Sequence, residues 1–357
     1  MGGNHTQTKF VLLGITDSPH VQTPPLGLFL LIYIVTLVGN IGIMVLVWVV
    51  PSLHTPMYFF LTHYSFADVC YSTVISPKML ADMLSENKTI SFAGCVTQFH
   101  TFAFFATAEC HLLAVMAYDW HVAICNPLLY VMVISSHVCR RLVASSYIIA
   151  FLSTIICMGC TFGGSFCGPN QIDHFFCDIS PMLKLTCSDT HSSETVIFAF
   201  VAINGMGTST IILLSYICIL RTVLRMRSAR SRSRAFNTCV PHLMAVSLFY
   251  GTIFFMYLQP MSRHSSLDKV ASIFYTVVTP MLNPFIYSLR NKEVKGALEK
   301  VVSIVYTLVI PTLSPLIHSL RNTEVKNALG RLLGRVLVAF QIQTVVIPSV
   351  LAGQDQE

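Results

Sequence analysis

Charge is what this chain has least of. Asp, Glu, Lys and Arg make up 11% of its 357 residues, while 54% are hydrophobic and the mean hydropathy is +0.67. That shortage excludes a soluble globule of this length. The apolar residues are grouped in blocks of ~20, the length of helix that crosses a bilayer. They fall near 25–50, 57–81, 93–119, 142–165, 196–220, 236–258 and 270–290. Alternating strands of ten residues are also missing, which excludes a transmembrane β-barrel. Inside lipid each backbone N–H and C=O must be satisfied within its own segment, so each block is read as an α-helix. A cleavable leader is not expected either, because Met1–Pro24 is polar and no basic stretch leads into an apolar run. The expected fold is an all-α membrane protein, a bundle of seven transmembrane helices.

The few cations report orientation. The connection between the fifth and sixth blocks carries Arg221, Arg225, Arg227, Arg230, Arg232 and Arg234 with no acid. Arg140 and Arg141 flank the fourth block, and Arg290, Lys292 and Lys295 follow the seventh. All three clusters fall on one side of a seven-span bundle, and that side is cytoplasmic. The N-terminus is then extracellular, and the net charge of +6 is a topology signal. No soluble basic face interleaved with aromatics is present, so nucleic acid is not a partner.

The outer side carries its own marks. Asn4-His5-Thr6 is a glycosylation sequon in the extracellular tail, and Asn4 is the expected site. A second sequon, Asn87-Lys88-Thr89, lies close to the bilayer. Cys95 stands at the outer end of the third span, and Cys167, Cys177 and Cys187 lie in the loop after the fourth. Four cysteines in an oxidising compartment allow three pairings, and spacing alone leaves all three open. Cysteines inside the spans, such as Cys110, Cys157 and Cys218, read as small apolar packing residues.

Five stretches, in order, carry a family resemblance. Leu53-His54-Thr55-Pro56-Met57-Tyr58-Phe59-Phe60-Leu61 lies at the first inner loop. Met116-Ala117-Tyr118-Asp119 and Val122-Ala123-Ile124-Cys125 close the third span. Ser215-Tyr216 closes the fifth, Thr238-Cys239 and His242-Leu243 open the sixth, and Pro280 to Asn291 closes the seventh. Over roughly residues 5–300 the chain resembles the olfactory receptor family of rhodopsin-like G-protein-coupled receptors.

That resemblance implies the pairings that spacing leaves open, Cys95 with Cys177 and Cys167 with Cys187. It implies a small-molecule odorant as ligand, a stimulatory G protein of the olfactory type as partner, and cAMP as output. It implies a multi-pass place in the plasma membrane, in the cilia of sensory neurons. A ligand of this kind shifts an equilibrium between two bundle packings by its differential affinity for them.

Candidate site residues follow in three groups. Helical spacing puts Phe102, Ala103, Ala106 and Thr107 on one inner face of the third span. The resemblance completes a pocket with Phe200, Asn204, Ile253, Phe254, Tyr257, Ile273 and Thr276. This set is apolar with a few polar groups, holds no charge, and suits a small volatile with one hydrogen-bonding function. Its lack of charge disfavours an aminergic type of ligand. The second group is Asp68 and Glu109, carboxyls in mid-membrane that must face the bundle interior. The resemblance assigns them to a structural sodium site. The alternative is protonated acids bonded to neutral groups such as Asn40 or Asn283. No other cofactor is expected.

The third group is the switch: Tyr216, Tyr250 and Tyr287, whose phenols need partners in lipid, with Asn283 and the hinge residue Pro284. Pro241 stands in the sixth span where the family commonly has Ser. The main departure is Asp119-Trp120-His121, where the family pattern has Arg and then Tyr after the aspartate. Trp carries no charge and one N–H donor, so it can neither pair with the aspartate nor meet the G protein as Arg does. It also has an ordinary reading as an interfacial anchor.

The C-terminal region departs as well. Residues 272–298 recur at 303–329 with roughly two-thirds identity, and Ser314 and His318 stand where Asn283 and Tyr287 stood. The expected organisation is an extracellular tail at 1–24 and the receptor domain at 25–290. A juxtamembrane amphipathic segment at 291–302 and a duplicated cytoplasmic or interfacial tail at 303–357 follow. Other functions lack their requirements. A retinal protein needs a lysine in the seventh span and 271–289 has none; a transporter needs repeats of whole multi-span units. No catalytic constellation is present, so no enzyme is expected.

Overall fold

The computed structural model describes residues 9–15, 19–85, 87–167, 170–257 and 266–288, with Gly296 and Ser303 beyond them. Side chains are described there except at 19–25, 234, 256–257, 266–268 and 288. Asn4, the segment 291–302 and the tail 303–357 as whole features lie outside these residues. Six long helices precede a composite seventh. They are α1 (Pro19–Val49), α2 (Pro56–Leu84), α3 (Phe92–Cys125), α4 (Ser136–Phe162), α5 (His191–Arg225) and α6 (Ala229–Tyr257). The seventh, α7, joins Ser266–Ile273, a π turn at Phe274–Val278, and Thr279–Ser288.

The helices overrun several of the apolar blocks, α3 by six residues at its inner end and α5 by five at each end. Hydropathy reports only the lipid core, whereas the i→i−4 ladder continues until a cap stops it. Ser91 accepts from Gly94 N to start α3, and Ser135 accepts from Val138 N to start α4. Six of the seven are long and apolar enough to cross a membrane. α2 is as long but carries Asp68, Lys78 and Asp82.

Each helix is inside-out relative to a soluble one. On α5, Met206, Leu213, Ile217, Leu220 and Leu224 point outward, 45–62% exposed. Thr208, Ile212, Ser215, Ile219 and Val223 point inward at the same helical period. The interior also holds Asn40, Asp68, Glu109, Asp119 and Asn283, all at most 1% exposed. An apolar exterior around a polar seam is the arrangement that lipid requires.

The seam explains the irregular seventh helix. Pro284 has no N–H, so the carbonyl of Pro280, four residues earlier, loses its donor. Asn40 of α1 supplies one, its Nδ2 lying 3.0 Å from the Pro280 oxygen. The π turn before Pro280 is stitched in the same way, with Thr279 Oγ1 donating to the Phe274 oxygen at 3.0 Å.

A small sheet covers the outer end. β1 (Lys9–Leu12) runs antiparallel to β2 (Thr89–Ser91) and parallel to β3 (Gln171–Ile172), in the order β2-β1-β3. Part of the presumed N-terminal tail is therefore structure, its Phe10 and Leu12 fully buried. A four-residue strand pinned between two loops leaves too little alternation to read from sequence.

If Asn40 holds α7 through the orphaned carbonyl, Asn40→Leu should keep the volume and lose the donor. The expected cost is about 1–3 kcal/mol, read as a lower thermal midpoint of the detergent-solubilised protein; an unchanged midpoint would remove that role.

Candidate functional site

Two disulfides fix the outer mouth. Cys95 at the head of α3 is bonded to Cys177, and Cys167 to Cys187, with Cα separations of 5.6 and 5.8 Å. The loop after α4 is further held down by polar contacts. Gln98 Oε1 accepts from Cys177 N at 3.0 Å, His174 Nε2 meets Ser272 Oγ at 3.2 Å, and Lys269 Nζ pairs with Asp173 at 2.6 Å. Together they strap the loop to α3 and α7.

Beneath this strap lies a cavity of about 90 Å³. Phe102, Ala103, Ala106 and Thr107 of α3, Phe200 and Asn204 of α5 and Ile253 of α6 line it. Phe254, Ile273 and Thr276 do not. Phe254 turns toward Tyr250, ring centroids 5.6 Å apart, and Thr276 Oγ1 donates to Ser272 O within its own helix. The side chain of Tyr257 lies outside those described. In α7 it is Tyr275, inside the π turn, that reaches the cavity. The π turn adds a residue to the helical turn, so an inner face drawn at regular helical spacing misses it.

The remaining wall comes from elements that sequence reasoning passed over. Ser153, Thr154 and Cys157 of α4 contribute, with Asp178 and Ile179 from the covering loop. Asp178 corrects the expectation of an uncharged lining. It is 4% exposed and its Oδ1 accepts from Ile179 N at 2.8 Å, capping a short helix at Ile179–Lys184. Position along the chain could not have shown it, because it is the Cys95–Cys177 bond and the polar contacts of the loop that carry its neighbour into the bundle.

Asn204 is committed to the protein. His111 Nε2 donates to its Oδ1 at 2.9 Å, and its Nδ2 donates to Phe200 O at 2.8 Å and Ser153 Oγ at 3.2 Å. The hydroxyl of Thr107 is the polar group that the α3 face itself offers to the cavity.

Below the cavity stand the two acids, both fully buried. Asn283 Nδ2 donates to both oxygens of Asp68, at 3.0 and 3.2 Å, and Tyr71 OH donates to Oδ1 at 3.3 Å. Glu109 faces Asp68, and beyond it neither Glu109 oxygen reaches a hydrogen-bond partner. Asn283 is thus a partner of the acids, while Asn40 is occupied with Pro280. Asn283 Oδ1 and Ser72 Oγ, one turn from Asp68, are likewise buried without a partner. An all-oxygen set with two carboxyls and idle acceptors fits a hard monovalent cation by donor chemistry.

At the inner end the family's Arg position is filled by packing. Trp120 is 2% exposed, so it is a core residue and its reading as an interfacial anchor is corrected. Its ring meets His242 of α6 edge to face, centroids 4.8 Å apart. His242 Nε2 lies 3.0 Å from the Leu113 carbonyl, which can only accept, so Nε2 donates. In the neutral ring Nδ1 is then the acceptor, and Tyr216 OH donates to it at 2.8 Å. His121 beside Trp120 is half-buried.

Asp119 is engaged elsewhere. Tyr130 OH, from a one-turn helix in the second inner loop, donates to its Oδ1 at 2.8 Å. Tyr250 OH donates to Thr208 Oγ1 at 2.7 Å and lies 3.2 Å from Cys110 O. Tyr287 packs edge to face on Tyr64 at 6.0 Å, three residues past Pro284. His242 and Tyr130 are partners of the switch candidates that sequence reasoning left unassigned. His242 stood in a recognised motif without a role, and nothing local marks Tyr130.

Seven spans, an outer cavity under a disulfide-strapped loop and an inner aromatic lock define a seven-helix receptor. Squid rhodopsin shares the fold at a TM-score of 0.60 and 19% identity, over 81% of this chain and 87% of that one. The olfactory receptor family profile matches residues 29–305, and the chain belongs to that family. Olfactory receptor 5AP2 of Mus musculus is 54% identical over 81% of this chain and 92% of its own length. Olfactory receptor 8U3 of Homo sapiens is 52% identical over 81% and 90%. A receptor of this family is not an enzyme, and its multiple spans place it in a membrane.

His242→Phe should keep a ring against Trp120 while deleting both hydrogen bonds. It should lower thermal stability by about 1–3 kcal/mol, as unmade buried hydrogen bonds do, whereas a Phe variant melting with the parent would deny those bonds any weight.

Proposed function

We propose that this olfactory receptor detects a small, mostly apolar volatile in the cavity between α3, α4, α5 and α6. Binding raises cAMP through a stimulatory olfactory G protein at the plasma membrane of sensory cilia. The observation that carries this reading is the apolar cavity itself, placed under the strapped loop, with Thr107 and Ser153 as hydroxyls on its wall. At about 90 Å³ it is below the ~300–1,000 Å³ of drug-sized sites. A compact ligand with one hydrogen-bonding group matches that volume. An Ala106→Phe change should fill the space, so the variant should reach the cell surface and lose its response to an agonist of the parent. A retained response would put the ligand elsewhere.

A second reading has its own observation. With Trp120 buried against His242, the position where the family carries Arg offers no cation to a G protein. This reading is a folded receptor with weak or absent coupling. An odorant screen read by cAMP, run on the parent and on Trp120→Arg, separates the two. Signal only from the Arg variant supports impaired coupling, and equal signal from both rejects it.

The acid pair completes the proposal. A sodium ion at Asp68 and Glu109 would hold the resting packing. Asp68, Glu109 and Asn283 would supply its oxygens, and the ion would neutralise charge that lipid cannot screen. Sodium should then raise the thermal midpoint of the parent relative to potassium, and Glu109→Gln should abolish that difference. An ion-independent parent would leave the pair as hydrogen-bonded carboxylic acids.

A further inference from the structure

A second groove opens at the inner leaflet, between the ends of α1, α2 and α4. It holds about 540 Å³, many times the ~30 Å³ share of one water. Leu53, His54, Thr55, Pro56 and Phe59 line it. These belong to the Leu53–Leu61 stretch that carries the family resemblance, yet none of them lines the outer cavity. The groove gives that stretch a surface.

Its chemistry is divided along its length. Met44 and Val47 of α1 with Leu53 and Phe59 form a mainly apolar floor, to which α2 also adds Thr62 and His63. Trp48, 80% exposed, stands beside it, as an indole does at headgroup depth. The cytoplasmic rim is polar, with the hydroxyls of Thr55 and Ser136 and the guanidinium of Arg140, all three residues exposed. No acid stands among the lining residues.

We propose that this groove is a binding site for an anionic phospholipid of the cytoplasmic leaflet. One acyl chain lies along the floor and the phosphate sits at Arg140. A guanidinium fork takes two phosphate oxygens at once, and the rim hydroxyls take others. The positive rim matches the leaflet that carries anionic lipid. A sterol brings one hydroxyl and leaves the guanidinium unanswered, and a choline headgroup cancels the phosphate charge, so only an anionic lipid brings net negative charge to Arg140.

The test uses the full chain, purified in detergent and exposed to equal mole fractions of phosphatidylserine, phosphatidylcholine and cholesterol, with retained lipid counted by native mass spectrometry. Phosphatidylserine should be retained about fivefold over phosphatidylcholine, the worth of one arginine at an anionic surface. Arg140→Gln should abolish that preference, while Arg141→Gln, next to it but outside the lining, should keep it. Val47→Trp should fill the floor and reduce phosphatidylserine retention with Arg140 intact. Equal retention of the two phospholipids by the parent would overturn the proposal. So would a preference that survives Arg140→Gln, or displacement of phosphatidylserine by cholesterol.

Discussion

No water is available in the middle of a bilayer, so every polar group there must be answered by another part of the same chain. Most of the arrangement of this receptor follows from that requirement. Pro284 removes a donor, and Asn40 replaces it from a neighbouring helix. Asp68 needs donors, and Asn283 and Tyr71 provide them. These contacts run through α1, α2 and α7 and set the depth of each helix against the others. Apolar contacts alone would not, because a Leu gains about as much from lipid tails as from a protein neighbour.

The two ends of the bundle are held by different physics. Covalent bonds, a three-stranded sheet and an ion pair close the outer end, and each tolerates water. The inner end is closed by aromatic edges and a histidine bonded on both sides. Under the proposed function a ligand shifts the bundle between two packings, and the inner end would then need a second arrangement of comparable energy. Packing and neutral hydrogen bonds can be exchanged at little desolvation cost, whereas an Arg–Asp pair must be separated or replaced. Trp120 therefore alters how this end is held as well as what it presents to the cytoplasm.

Much of this was legible in residues alone. Seven apolar blocks, the side of the arginines and the five motifs led to the seven-helix bundle and the family. Four residues of α3 at helical spacing, Phe102, Ala103, Ala106 and Thr107, do share the cavity wall. On α7 the cavity wall is Tyr275 rather than Ile273 or Thr276, because a π turn changes which residues reach the cavity and has no reliable sequence mark. Asp178 was missed because loops have no periodicity from which to read a facing direction. The alternative reading of Trp120 as an anchor does not hold, because composition cannot tell a buried indole from one at the headgroups.

The sequence by itself determined the solvent, the number of crossings, their direction and the kinship. These depend on local hydrophobicity, on charge near the ends of spans and on short motifs, all of which survive without knowing who touches whom. Only the tertiary structure decided which polar group answers which, that Asn40 serves Pro280, Asn283 serves Asp68 and His242 joins α3 to α5. The physical reason is separation: these partners stand 26 to 240 residues apart, and a hydrogen bond is specified by ångströms in space rather than by distance along a chain.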